Sequence, residues 1–267
     1  MSVLLVGDGN FSFSRSLCSS PPCPRITSLI ATSYDNKTSL IKKYGEGAQR
    51  NIDEIVSSGW IVKHDVDARR LEKYFSKDTR FDYIYFMHPL VDPDDRVRMV
   101  FDGKINNGED IIIANRLLIA DFLRSAKDFL TLPHGEIRVA CKDTYPYTWW
   151  RVSQLGKLAR PLKLKKVELF RNDDFPGYEP RTVEMDKSFP SAKSKMYSFG
   201  VLNDEGNVEF EEQWYGEKEL KLQIVCSICE KQFTSEADKA RHLKTEKHNI
   251  RAKLEEKWAK TVEEIYQ

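Results

Sequence analysis

Short apolar segments alternate with helical segments through the first two-thirds of the chain, and this alternation limits the fold more than any other feature. Five early segments are predicted strands, at residues 3–6, 26–32, 60–63, 83–86 and 136–141. The clearest helical pattern runs from Asp110 to Phe129, where apolar residues recur every three or four positions. Strands that alternate with helices favour a parallel sheet covered by helices on both faces. We therefore predict an α/β fold.

The pattern changes twice in the remainder of the chain. Beyond residue 144 we predict a helix near residues 152–159, strands at 164–170 and 196–202, and an irregular segment at 172–190 that holds three prolines. A composition change after Gly206 suggests four parts. They are a main domain at 1–206, an acidic linker at 207–223, a metal-binding module at 224–249 and an amphipathic tail helix at 250–267.

Composition excludes several classes of protein. The 267 residues include 42 basic and 41 acidic side chains, so the net charge of +1 does not suit a protein that coats nucleic acid by charge alone. The longest apolar segment, residues 111–130, is interrupted by charged side chains, and no membrane span is predicted. The first apolar run begins at Val3, which leaves no room for a signal peptide. Five scattered cysteines favour a reducing compartment.

Two cysteines and two histidines near the C-terminus have the spacing of a zinc site. Two residues separate Cys226 from Cys229, twelve separate Cys229 from His242, and five separate His242 from His248. Zinc prefers four sulfur or nitrogen ligands in a tetrahedron, so we predict Zn²⁺ at these residues. Such a small module also needs apolar residues, here Phe233 and Leu243, and a helix cap at Ser235.

The partner of this predicted finger stays open between two classes. DNA-reading fingers usually occur in tandem, and a single finger gives little sequence discrimination. The long interval between the histidines favours contact with RNA, whereas a structural or protein-docking module is the alternative. The charged tail helix leaves a protein partner possible.

A glycine turn and three carboxylates follow the predicted strands. Gly7 and Gly9 come directly after the first strand, and such glycines let the backbone turn sharply and approach a ligand. Asp35 ends the second strand, where an acidic residue can bind ribose hydroxyls, and Asp65 and Asp67 follow the third. The alternatives are a simple tight turn for the glycines and helix N-caps for the aspartates.

Several motifs together resemble the large-subunit rRNA (uridine-N3) methyltransferase-like family. They are LLVGDGNFSFS at 4–14, ATSYD at 31–35, KYG at 43–45, VD at 66–67, FD at 81–82, YPY at 145–147 with Trp150, and PGY at 176–178. The resemblance covers roughly residues 3–201. It implies a Rossmann-like class I methyltransferase fold, S-adenosylmethionine as cofactor and a uracil of ribosomal RNA as substrate.

The resemblance also assigns roles to residues. Gly7, Asp8 and Gly9 would cradle the methionine end of the cofactor, and the adjoining Asn10 and Phe11 belong to the same predicted site. Asp35 would hold the ribose, and Asp65 and Asp67 would lie near the adenine.

The loop after the fourth strand departs from the family. The family has an Asn-Phe-Pro-His motif, whereas residues 86–90 here are FMHPL. Met87 stands where the asparagine would be, and the histidine is His88, beside Pro89. We predict His88 and Pro89 at the reacting base, with His88 either a proton acceptor or a histidine packed at the strand end. A catalytically inactive RNA-binding protein is therefore an alternative function, and a nicotinamide-dependent oxidoreductase is a weaker one.

A basic segment and nearby aromatic residues suggest RNA contacts. Residues 151–166 carry six basic side chains and no acidic one, and we expect them beside the strand ends that hold the cofactor. Trp149 and Trp150 are expected in the core, whereas Lys142, Tyr178 and Arg181 are further candidate contacts. A function in ribosome assembly suggests the nucleolus, with the cytoplasm as the alternative location.

Overall fold

The computed structural model describes residues 1–19, 26–91, 108–181, 193–201 and 224–266. Contacts divide the chain into two units, Met1–Glu212 and Gln213–Gln267, and each is described by itself. The predicted domain boundary at residue 206 and the acidic linker at 207–223 lie outside the described residues.

A seven-stranded sheet forms the centre of the first unit. Its strands are β1 (Ser2–Val6), β2 (Ser28–Thr32), β3 (Ile61–Lys63), β4 (Tyr83–Met87), β5 (Glu136–Lys142), β6 (Leu162–Phe170) and β7 (Ser194–Val201). Their order is β3-β2-β1-β4-β5-β7-β6, and strands β1 to β5 are parallel to one another. β7 runs antiparallel to both β5 and β6.

Helices cover the sheet because its strands carry apolar side chains on both faces. The helices are α1 (Ser12–Ser19), α2 (Lys37–Ser57), α3 (Gly108–Ala126) and α4 (Val152–Leu155), with 3-10 turns between them. Adjacent residues Leu4 and Leu5 are both buried, as parallel strands packed on two sides require. α2 is kinked at Gly45, whose φ of 65° is not helical. This architecture confirms the predicted α/β fold with helices on both faces.

The order of the strands creates a switch point above β1. β1 pairs with β2 on one side and with β4 on the other. Because these strands are parallel, the loops after β1, β2 and β4 leave the sheet at the same edge. Open α/β sheets bind ligands in the crevice at this point. We therefore refer to this edge, where β1, β2, β4 and β5 end, as the cleft edge.

The basic segment at 151–166 is not where we expected it. α4 and the following turn carry the chain across the sheet, and β6 then starts at the opposite edge, where Leu162 pairs with Val201. Lys165 there forms an ion pair with Glu136, at the start of β5. For the part of the segment in β6, the expectation that it adjoins the cofactor site is therefore wrong, because a crossover returns the chain to the edge where parallel strands begin. Trp149 and Trp150 are buried, as predicted.

The second unit is a small hairpin with two helices. It contains β8 (Ile224–Cys226), β9 (Lys231–Phe233), α5 (Glu236–Leu243) and α6 (Glu246–Tyr266). The tail helix begins four residues earlier than predicted and so includes His248. Thr245 explains the start, since its hydroxyl accepts a hydrogen bond from the His248 amide as an N-cap does. Ser235 caps α5 through the Asp238 amide, as predicted.

None of the helices in the described ranges has both the length and the apolar character needed to cross a lipid bilayer.

Candidate functional site

An open cleft of about 990 Å³, part of it continuous with solvent, lies at the cleft edge. Its lining includes eight of the residues predicted for the site: Gly7, Asp8, Gly9, Asn10, Asp35, Asp67, His88 and Pro89. Phe11 and Asp65 are not part of this lining. The cleft is thus built from the loops after β1, β2, β3 and β4, as the sequence predicts.

In the glycine turn after β1, a side chain at Gly7 or Gly9 would collide with a neighbouring aromatic residue. Gly7 has a φ of 64°, and a Cβ atom there would lie 2.8 Å from the Phe86 ring. A Cβ on Gly9 would lie 2.9 Å from the Tyr44 hydroxyl. Both glycines line the cleft, so the backbone of this turn is open to a bound molecule.

Asp8 uses its carboxylate to hold helix α1. Oδ2 accepts hydrogen bonds from the Ser14 amide at 2.7 Å and from the Ser14 hydroxyl at 2.6 Å. Burial raises the pKa of Asp8, although these hydrogen bonds act in the opposite direction. The structure therefore gives Asp8 a role in placing α1, next to the predicted role in cofactor binding.

Asn10 and Phe11, which follow the glycine turn, make contacts with distant parts of the first unit. Asn10 donates a hydrogen bond from Nδ2 to the Glu179 carbonyl at 3.1 Å, and its own carbonyl accepts from Asn51 on α2. Phe11 is fully buried, and its ring packs edge-on against His64. These contacts tie separate parts of the fold together at the base of the cleft.

The three aspartates differ in their surroundings. Asp35 accepts hydrogen bonds from the Lys43 ammonium on both carboxylate oxygens, each at 2.9 Å. Asp67 caps the 3-10 helix Ala68–Lys73 through the Arg69 amide, and the Arg69 guanidinium binds its carboxylate. Burial acts to raise the pKa of Asp67, but these bonds from Arg69 outweigh it and the pKa is lowered. Asp65 is exposed, with a φ of 59°. Helix capping, the alternative offered by the sequence, therefore holds for Asp67.

His88 is enclosed at the end of β4 and is bonded at both ring nitrogens. Nδ1 lies 3.0 Å from the Tyr178 hydroxyl, and Nε2 lies 3.1 Å from the Ser194 hydroxyl. Burial, reinforced by the nearby charge of Lys142, lowers the pKa of His88 to about 4. The ring is therefore neutral at pH 7. These contacts match the alternative of a packed histidine more closely than that of a strong proton acceptor.

Met87 and Pro89 complete the loop after β4. Met87 is buried and, like Pro89, lines the cleft. A thioether offers no hydrogen-bond donor. Polar contacts to a bound base must therefore come from other segments of the lining.

Sequence reasoning missed several residues of the cleft. They are Tyr34, Tyr44, Arg69, Leu118 and Pro180, and Lys43 and Ser194 act through direct contacts with predicted residues. The KYG motif was a signal for Lys43 and Tyr44. Ser194 carries no such signal, because a lone serine on a late strand has no pattern that points to a histidine over a hundred residues away.

The lining suits S-adenosylmethionine. An adenosyl group needs apolar surface, which Val66 and Ala68 provide, and its ribose needs an acceptor, which Asp35 provides. The two Cβ-free positions at Gly7 and Gly9 let the rest of the molecule approach the backbone. These lining residues are therefore compatible with S-adenosylmethionine in the cleft.

The cysteines and histidines of the second unit form a cluster of metal-ligand type. One donor atom from each of Cys226, Cys229, His242 and His248 lies within 4.8 Å of all the others. Nδ1 of His248 is 3.6 Å and 3.5 Å from the two sulfur atoms. A tetrahedral zinc ion with bonds of about 2.3 Å to sulfur and about 2.0 Å to nitrogen sets a separation of about 3.5 Å between such donors.

One further atom of the cluster supports zinc. Nε2 of His242 is buried and makes no hydrogen bond to the described residues, which is the state expected of a metal ligand. Phe233 packs against the His242 ring at 4.9 Å, as the module requires. Leu243, in contrast, is 41% exposed and does not form the expected core.

The strand order, the antiparallel β7 and the cleft above β1 define a Rossmann-like methyltransferase domain, followed by a zinc module. Residues 4–182 match the family model described as rRNA (uridine-N3-)-methyltransferase BTM5-like, so the chain belongs to that family. Residues 224–248 match the model for a zinc-finger of C2H2 type. The predicted family, enzyme class and zinc finger are thereby confirmed.

Three similar proteins illustrate the match. An uncharacterised protein of Arabidopsis thaliana is 32% identical, over 74% of this chain and 91% of the relative. The 25S rRNA (uridine(2634)-N(3))-methyltransferase of Saccharomyces cerevisiae is 24% identical, over 74% of this chain and 71% of its own. A solved methyltransferase structure in complex with SAH has a TM-score of 0.41 and 10% identity, over 75% of this chain and 45% of that one.

Proposed function

We propose that this protein transfers a methyl group from S-adenosylmethionine to N3 of a uracil in ribosomal RNA. The supporting observation is the cleft, which gathers Gly7, Gly9 and Asp35 at the switch point of the sheet in a chain of the uridine-N3 methyltransferase family. We assign the ribose to Asp35 and the methionine end to the glycine turn.

The chemistry requires loss of the N3 proton, because uracil N3 is protonated at neutral pH and its lone pair must be free to accept a methyl group. S-adenosylmethionine, when bound, would supply that methyl group and leave S-adenosylhomocysteine as the product. The protein must place the base, exclude water and stabilise the anion that forms when the proton leaves. Because the pKa of His88 is lowered to about 4, His88 is a weak proton acceptor. Its contacts with Tyr178 and Ser194 suit a positioning role.

Two measurements test the proposal. Calorimetry should detect binding of S-adenosylhomocysteine to the full chain, and tritiated methyl groups should pass from S-adenosylmethionine to rRNA from cells that lack the protein. Nuclease digestion should then give labelled N3-methyluridine. Cofactor binding with no transfer to any rRNA would refute the enzymatic proposal.

A specific feature favours a second function, that of an RNA-binding protein without catalysis. Met87 replaces the polar residue of the family motif, and both His88 nitrogens are bonded within the protein. Under this alternative, rRNA would bind with the same affinity with or without cofactor, and a His88→Ala change would leave that affinity unaltered.

For the zinc finger we propose contact with the RNA substrate, and for the whole protein a function in ribosome biogenesis. Arg241 at the end of α5, Lys244 in the turn after it and Lys247 at the start of α6 are all exposed, which suits binding to phosphates. Removal of the finger should then weaken rRNA binding and leave the affinity for the cofactor unchanged. A tagged full chain that concentrates in the nucleolus would support that location over the cytoplasm, and the partner of the tail helix stays a prediction.

A further inference from the structure

A short segment that follows β6 borders the cleft and contacts the residues just after the glycine turn. We call residues 175–181 the strap. β6 ends at the cleft edge, since Phe170 pairs there with Ser194, and the chain then passes over this edge. Tyr178, Pro180 and Arg181 of the strap line the cleft together with His88.

Two residues of the opening motif hold the main chain of the strap. Ser12 at the start of α1 accepts a hydrogen bond from the Glu179 amide at 3.0 Å and donates one to the Glu179 carbonyl at 3.1 Å. Asn10 donates a second hydrogen bond to the same carbonyl. Asn10 also accepts from the Ser12 amide through Oδ1, so the two anchors fix one another.

The rest of the strap packs on the same helix. Phe13 lies beneath the rings of Phe175 and Tyr178, with 5.0 Å between centroids in each case. Gly177 has a φ of 86°, and its carbonyl accepts from Arg15 at 3.4 Å. The strap is therefore held by polar contacts on its main chain and by aromatic contacts on its inner face.

This anchoring sets the position of the Tyr178 hydroxyl. The hydroxyl lies 3.0 Å from His88 Nδ1, and the two rings are stacked with an angle of 28° between their planes. Burial, together with the nearby Asp8 charge, raises the pKa of Tyr178, so the group remains a proton donor. If Ser194 donates to Nε2, the neutral His88 donates from Nδ1 to the phenol oxygen, which leaves the phenol proton available to a ligand.

A uracil base offers a matching acceptor. Loss of the N3 proton places negative charge on the two carbonyl oxygens that flank N3, and a donor aimed at one of them stabilises that charge. Met87 has no donor to give, whereas Tyr178 has one at the same end of the cleft. A donor at a carbonyl also leaves the N3 lone pair free for the methyl group.

We propose that Tyr178 donates a hydrogen bond to a carbonyl oxygen of the target uracil and so stabilises its N3 anion. Asn10 and Ser12 are positioning residues, which act by holding the strap rather than by binding cofactor. The assignment of Tyr178 rests on the proposed methyltransferase function; the anchoring of the strap does not.

The anchoring is tested by hydrogen exchange on the full, zinc-loaded chain. Ser12→Ala removes both of its hydrogen bonds to Glu179, and Asn10→Asp removes one, so exchange of the strap amides should become about five- to tenfold faster in each variant. Ser39→Ala, a change at an exposed serine early in α2, is the matched control and should have no effect there. Equal exchange in all variants would overturn the anchoring.

The role of Tyr178 is tested by a Tyr178→Phe change, which keeps the ring and removes the hydroxyl. Affinity for S-adenosylhomocysteine should remain within about twofold, while kcat at pH 7 falls about 10²-fold, the scale for loss of a donor to a forming oxyanion. Because high pH helps the uracil to ionise, the deficit should shrink as pH rises. An unchanged kcat, or a deficit equal at every pH, would refute the role.

The proposed function and the anchoring of the strap can be refuted separately. Absence of cofactor binding and methyl transfer in the unaltered chain would refute the proposed function and the Tyr178 role together. The exchange rates would still decide whether Asn10 and Ser12 hold the strap.

Discussion

At the scale of single residues, the cleft joins groups whose partners lie far apart in the chain. His88 contacts Tyr178 and Ser194, and Asp35 is bound by Lys43 on the next helix. Each of these polar groups is at least partly shielded from water and bonded to a neighbour, as a preorganised site requires. Removal of one partner therefore leaves the other with fewer hydrogen bonds in the cleft.

The first residue-scale prediction concerns cofactor affinity. An Asp35→Asn change removes the charge held by Lys43 and weakens the acceptor for the ribose, so affinity for S-adenosylhomocysteine should fall by about 1–3 kcal/mol. Calorimetry measures the change. Asp53→Asn, at an exposed aspartate on α2, is the control and should bind normally. An Asp35 variant with the affinity of the unaltered chain would exclude contact with the ribose.

The second residue-scale prediction concerns how the stability of the fold depends on pH. The pKa of His88 is about 4 in the folded protein and about 6.5 when unfolded, so between these values the unfolded chain binds more protons. Stability contributed by neutral His88 is complete above pH 6.5 and is lost as pH falls toward 4, by about 3 kcal/mol in all.

A His88→Asn variant tests this, since asparagine tolerates the φ of 49° found at this position. Denaturant unfolding should show a shallower loss of stability between pH 6.5 and 4 in the variant than in the unaltered chain. Parallel curves over that interval would show that His88 is not desolvated.

At the scale of elements, the turn after β1 offers two glycine changes with different outcomes. A Gly7→Ala change introduces a Cβ against the Phe86 ring at a positive φ, so we expect the first unit to lose about 1–3 kcal/mol of stability. A Cβ at Gly9 would lie 2.9 Å from the Tyr44 hydroxyl, but the φ of Gly9 is not in the left-handed region, so the backbone carries no strain there.

Gly9→Ala should therefore fold with nearly normal stability but bind cofactor less well. Thermal unfolding and calorimetry on the same preparations separate the two effects. Equal loss of stability in both variants would contradict the assigned packing.

Elements were also what the sequence predicted best. Strand positions follow from apolar runs, and all seven strands of the sheet begin within two residues of the expected point. The glycine turn and Asp35 can be recognised from the local sequence alone, without knowledge of the fold. The anchoring role of Asn10 has no local signal, because its partner Glu179 lies 169 residues away.

Periodicity also could not place the basic segment at 151–166. Its charges are evident in the sequence, but which edge of the sheet they reach depends on where the chain crosses over. Ion pairs such as that of Lys165 with Glu136 then neutralise part of the positive charge at the edge where the parallel strands begin. Composition alone predicts a charged surface and not its place.

At the scale of the whole molecule, two separate units carry separate stabilising interactions. The first has an extensive apolar core, whereas the second depends on four clustered metal ligands. A Cys226→Ser change should therefore unfold the finger and leave the first unit intact.

The measurement is a pair of unfolding transitions followed by circular dichroism, with and without a zinc chelator. The chelator should abolish the finger's transition in the unaltered chain and have no effect on the variant. Collapse of both units after the single substitution would contradict this independence.

The main-chain character of the strap anchors has a consequence for sequence divergence. Asn10 and Ser12 bind the N–H and C=O of residue 179, while the glutamate side chain itself is exposed. Every amino acid except proline presents those two groups, so substitutions at position 179 preserve the anchors and remove only the ion pair of Glu179 with Arg181. Homologues should then vary more at 179 than at 10 and 12, where an amide and a hydroxyl should be retained.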